Sequence, residues 1–87
     1  MYIHLGNNVM LPTQEIIGIF DLENTSISKR TRDFLNKAEK DGRVITISYD
    51  LPRSFVIAGK NMKESKVYIS QISSQTLLKR TGYIDSL

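Results

Sequence analysis

The chain opens on a short alternation. Tyr2, Ile3, His4 and Leu5 put successive side chains on opposite faces, the period-two signature of a strand over Tyr2–Leu5. Gly6-Asn7-Asn8 is turn chemistry, because Gly and Asn tolerate positive φ. Val9-Met10-Leu11 returns as a second strand, and Pro12 limits any ladder it joins. Glu15–Leu22 is dense in Ile16, Ile17, Ile19 and Phe20 around Gly18. That density predicts a strand buried on much of both faces, with Gly18 at a bulge or a close backbone approach.

From residue 27 the period changes. Ile27, Thr31, Phe34, Leu35 and Ala38 fall on one face of a helix over 27–41. Thr25, Ser26 or Ser28 caps its start, and Gly42 sits where a left-handed C′ residue belongs. Arg43–Tyr49 alternates again, with Ile45, Ile47 and Tyr49 on one side and Val44, Thr46 and Ser48 on the other, the pattern of a half-buried strand. Asp50-Leu51-Pro52-Arg53 is a turn between that strand and Ser54–Ala58. A polar connection from Gly59 to Ser65 leads to a short strand at Lys66–Ile69. Ser73 or Ser74 caps a brief helix through Arg80, closed by Gly82. The sum is an α+β class: a small, mostly antiparallel sheet with one amphipathic helix and a short C-terminal helix, in one domain over residues 1–87.

Composition narrows the chemistry. A chain of 87 residues builds only a thin core, and small scaffolds gain stability from disulfides, metals or association. With no cysteine and a single histidine, disulfides and thiolate sites are excluded and zinc is disfavoured, which leaves self-association. No basic, apolar leader opens the chain and no apolar run reaches the length of a membrane span, so a soluble cytoplasmic protein is expected. No cofactor and no small-molecule substrate is implied. His4 has no carboxylate beside it in sequence and reads as a surface or edge-strand residue; no nucleophilic triad and no glycine-rich phosphate loop is present. Asp21 and Glu23 form an acidic pair that is solvated or caps the turn before the helix. These features point to a protein that binds rather than catalyses.

Charge is unevenly placed. Residues 1–27 carry Glu15, Asp21 and Glu23 and no Lys or Arg, whereas all twelve Lys and Arg lie from Lys29 onward; the net charge is +3. Such a distribution is either an ordinary solvated surface or a basic face for a polyanion. The helix carries Lys29, Arg30, Arg32, Lys37 and Lys40 off its apolar stripe, diluted by Asp33 and Glu39. Arg53, held by a Pro-fixed turn, suits a phosphate because planar guanidinium donors act best from a fixed position. Lys29, Arg30, Arg43 and Lys60 are secondary candidates for DNA contact, and Lys79-Arg80 suits the C-terminal end of a helix dipole. The aromatics are scattered and read as core or interface residues rather than a base-stacking platform.

Four segments in order carry a family resemblance: Met1-Tyr2-Ile3-His4-Leu5-Gly6, Ile16-Ile17-Gly18-Ile19-Phe20-Asp21, Pro52-Arg53-Ser54-Phe55-Val56-Ile57 and Ser73-Ser74-Gln75-Thr76-Leu77-Leu78-Lys79-Arg80. Over roughly residues 1–80 the chain resembles the RemA/RemB family of bacterial extracellular-matrix regulators, on the RemB side. The resemblance implies a small cytoplasmic protein of Gram-positive bacteria and related groups. It implies a subunit similar to the LytTR DNA-binding domain that assembles into a ring and binds double-stranded DNA to regulate biofilm-matrix genes. Arg53 matches the basic turn implicated in DNA contact. Gln14 and Glu15 stand where family members often carry a base, and the turn Asp50-Leu51-Pro52-Arg53 is poorer in arginine than its RemA counterpart. The rival expectation is a scaffold or protein-interaction subunit of the same fold without DNA binding.

Overall fold

A computed structural model describes residues 1–23 and 28–81. Strands β1 (Tyr2–Gly6) and β2 (Val9–Pro12) form a hairpin, and one 3-10 turn at Thr13–Glu15 leads into β3 (Ile16–Asp21). Helix α1 (Lys29–Lys40) is followed by β4 (Val44–Thr46), β5 (Ser54–Ala58), β6 (Lys66–Ser70) and helix α2 (Ser74–Arg80). The class is α+β. The main sheet has the order β3-β5-β6-β4, antiparallel except for the β4–β6 pair, which is parallel.

The alternation in β5 explains the layering. All five of its residues are buried, because the central strand is covered on both faces. Phe55 and Ile57 point to α1 and pack with Ala38 and Val67, with Phe34, Leu35 and Val44 alongside. Val56 and Ala58 point the other way, to Ile3, Leu5 and Leu11 of the hairpin and Leu77 of α2. The sheet thus lies between α1 on one face and the hairpin with α2 on the other.

Local chemistry sets the element ends. Asn7 and Asn8 both take positive φ, the primed turn that matches strand twist in a two-residue hairpin. Of the three cap residues the sequence offers for α1, Ser28 does the capping and accepts from the Thr31 N–H; Thr25, Ser26 and Ile27 lie outside the described residues. The helix closes with both bonds of a Schellman motif, Gly42 N–H to the Glu39 carbonyl and Arg43 N–H to that of Ala38, with Gly42 at φ 73°. Ser73, not Ser74, caps α2, and Gly82 lies outside the described residues.

Three expectations are corrected. β3 is not buried on both faces: it is an edge strand, and Ile17 and Phe20 are exposed. Gly18 does mark a bulge there, and a Cβ on it would lie 2.7 Å from the Phe20 ring. The strand expected over Arg43–Tyr49 ends at Thr46. Ile47 turns into the hairpin-side core, and the Ser48 hydroxyl accepts the Asp50 N–H, so the chain bends away and leaves Tyr49 97% exposed. Finally, residues 50–53 are an open loop rather than a tight turn, and the loop does not join neighbouring strands. It carries the chain from β4 across the end of β6 to β5.

Candidate nucleic-acid interface

Arg53 stands one residue before β5, at the end of the sheet. Its backbone is fastened on both sides: its N–H donates to the Ser70 carbonyl at 2.9 Å, and its carbonyl accepts from the Leu22 N–H at 3.0 Å. The position is therefore sheet-like, although the loop before it is open to solvent, with Tyr49 and Leu51 (83% exposed) at its surface. Two buried serines hold this end together. Ser54 and Ser70 face each other in register, and both bind Ile72: the Ser54 hydroxyl donates to its carbonyl and the Ser70 hydroxyl accepts its N–H. The Ser70 hydroxyl also donates to the Leu5 carbonyl, which ties the hairpin to the sheet beneath Arg53.

The Arg53 side chain has a partner that sequence reasoning missed. Its Nε donates to Glu23 Oε1 at 2.8 Å, with Arg53 49% and Glu23 38% exposed. Glu23 is itself placed by a turn, its N–H donating to Asp21 Oδ1 at 2.6 Å. Asp21 of the acidic pair thus caps the turn after β3, while Glu23 meets the basic loop. Asp21 lies opposite Ser54 in the ladder, and Asp50 is three residues upstream in the loop. Of these three carboxylates only that of Glu23 meets the guanidinium.

None of the other candidates has a described contact with Arg53. Lys60 is exposed just past the far end of β5, about 17 Å of strand away. It borders a shallow hollow of mixed sign with Glu15, Glu64, Lys66 and Tyr68. Burial, and secondarily the Glu15 charge, push the Tyr68 hydroxyl above its ordinary range. Arg43 directs its donors into the fold: Nη1 to the Ser65 carbonyl at 2.9 Å, Nη2 to Asp41 at 3.2 Å, with the guanidinium 5.8 Å from the Phe34 ring centroid. Lys29 and Arg30 are exposed in the first turn of α1, which holds no acid. Arg30 also edges an apolar groove formed by Phe20, Phe34, Ile57 and Met62. Arg80 reaches back to donate to the His4 carbonyl at 2.9 Å, a structural latch between α2 and β1. Among the described residues no three His, Asp or Glu side chains gather as metal ligands, and no helix is long and apolar enough to cross a membrane.

Comparison with known proteins agrees with the four-segment resemblance. A family model described as RemA-like, extracellular matrix regulatory protein A-like, matches residues 2–81. Over 84 residues the chain is 34% identical to extracellular matrix regulatory protein B of Bacillus subtilis (strain 168), covering 97% of this chain and 94% of that protein. The family match starts at the first residue of β1 and stops at the residue capping α2, so it takes in every strand and helix described above. The chain belongs to the RemA-like family of extracellular matrix regulatory proteins.

Proposed function

We propose that this chain is a cytoplasmic bacterial regulator of extracellular-matrix genes that acts by binding double-stranded DNA as a cyclic homo-oligomer, on a fold related to the LytTR DNA-binding domain. Arg53 carries the reading. It is a half-exposed guanidinium on a backbone fixed by two strands, and among the described residues its Nη groups have no partner. Phosphate contact asks for a positioned cation and reads no base sequence. Association multiplies such contacts through effective concentration, so a weak site on each subunit suffices. Two features support association: β3 and β4 are open edges on opposite sides of the sheet, and β3 exposes Ile17 and Phe20. Joining one edge to a different edge of the next copy is a heterologous contact of the kind that closes rings.

The test has two arms. Light scattering with and without a duplex fragment reads the mass, and a monomer of 9.9 kDa at high concentration refutes the ring. Titration of wild type and Arg53→Ala on two unrelated duplexes at several salt concentrations reads the DNA contact. The expected result is salt-dependent binding that Arg53→Ala weakens equally on both sequences, lowering the salt slope by about one per engaged subunit. The Glu23 carboxylate already on Arg53 favours a second reading, a scaffold subunit that meets protein rather than DNA. Absence of binding at low ionic strength selects it.

A further inference from the structure

We propose that Glu23 is an acidic latch on Arg53, a built-in competitor that phosphate displaces; the inference rests on the reading above that Arg53 meets DNA. A guanidinium recognises an oxyanion best through a two-donor edge. Glu23 occupies Nε at 2.8 Å and so removes the side edge formed by Nε and its neighbouring Nη. Among the described residues only the end-on Nη1–Nη2 edge stays open, and a phosphate arriving there meets the Glu23 charge one guanidinium width away. Both approaches are therefore weakened by the same carboxylate.

The contact is built rather than fortuitous. Residues 22 and 23 are fastened where they can reach the loop, by the Leu22 N–H on the Arg53 carbonyl and the Glu23 N–H on Asp21. Its exposure decides its character. A buried pair would hold Arg53 permanently, because breaking it strands a charge away from water. A half-exposed pair is weak and exchanges with water and ions, so it tunes affinity without abolishing it. The latch then sets a threshold: one subunit gains little by trading Glu23 for a phosphate, while several subunits engaged together overcome the competition.

The experiment is a double-mutant cycle read by fluorescence anisotropy on a short labelled duplex at fixed low salt. The proteins are wild type, Glu23→Gln, Arg53→Ala and the double variant, each checked for an unchanged fold by circular dichroism. Glutamine keeps the size of the side chain and removes its charge. Glu23→Gln is expected to tighten binding about two- to five-fold per engaged Arg53, the range of an exposed ion pair. In the Arg53→Ala background the same change is expected to do nothing. Binding by Glu23→Gln where wild type shows none also supports the latch. Equal affinity of wild type and Glu23→Gln overturns it while leaving DNA binding intact. A gain of the same size with Arg53 absent overturns it too, since the effect is then a general change of field. Failure of both wild type and Glu23→Gln to bind removes the DNA reading and the latch with it.

Discussion

Replacing Ser70 by Ala tests how the hairpin is sealed to the sheet. The side chain is 1% exposed, and its hydroxyl makes two hydrogen bonds, donating to the Leu5 carbonyl at 2.9 Å and accepting the Ile72 N–H at 3.0 Å. Leu5 is the residue that the β1–β2 ladder skips, and it is fully buried. Alanine fills almost the same space, so the cost is the unpaired polar groups rather than a cavity. A buried group left without its partner costs about 1–3 kcal/mol. Ile72 is half-buried and recovers part of its loss through water, which puts the total at about 2–4 kcal/mol. For a domain of this size each kcal/mol lowers Tm by about 4–8 °C, so a fall of about 8–32 °C is expected. Thermal and urea unfolding followed by circular dichroism at fixed protein concentration measure it, and amide exchange in β1 should quicken. Ser54→Ala loses a single bond and should cost about half as much. The two changes share Ile72, so their sum should not be additive. A shift smaller than about 3 °C for Ser70→Ala, under 1 kcal/mol on the same scale, refutes the argument, because the Leu5 carbonyl must then be solvated.

Gly59 stands at φ 152°, and a Cβ there would lie 2.9 Å from the Ser65 Cα; Gly59→Ala is expected to cost about 2–3 kcal/mol in an unfolding titration. Phe34→Ala should cost about 2–3 kcal/mol, less than a fully buried ring because Phe34 is only partly covered, and including about 0.5–1 kcal/mol from Arg43 over its face; Phe34→Leu should recover most of it in a thermal melt. Tyr68 keeps its proton more firmly when folded than when unfolded. Its contribution is therefore intact below pH 10.0 and is lost as pH rises from there through the folded value. Stability should fall in that alkaline window, and Tyr68→Phe should flatten the fall in a pH series of urea midpoints.

Much of the local structure was legible in the chain. The stripe of Phe34, Leu35 and Ala38, the serine cap and Gly42 announced α1, because each signal acts within a turn or two of backbone. The Asn7-Asn8 hairpin and the bulge at Gly18 follow from the same short-range chemistry. The Arg43–Tyr49 alternation misled, because Ile47 belongs to the hairpin-side core and the Ser48 hydroxyl bends the chain before Tyr49 can join the strand. In β3 the apolar density suggested burial, yet hydrophobicity cannot tell a central strand from an edge that leaves Phe20 39% exposed.

The candidate site divides in the same way. The sequence alone determined that Arg53 sits in a proline-fixed loop beside a strand and that the chain's lysines and arginines begin at Lys29. Only the tertiary structure decided that Lys60 lies at the opposite end of the sheet, that Arg43 braces the fold, and that Glu23 reaches Arg53 across thirty residues. It also decided that Ser70 meets Leu5 across sixty-five and Arg80 meets His4 across seventy-six. Capping, turns and periodicity are fixed by atoms a few residues apart. Which strand lies beside which depends on how two apolar faces of one sheet are shared between a helix and a hairpin, and charges are paired only after that packing is complete.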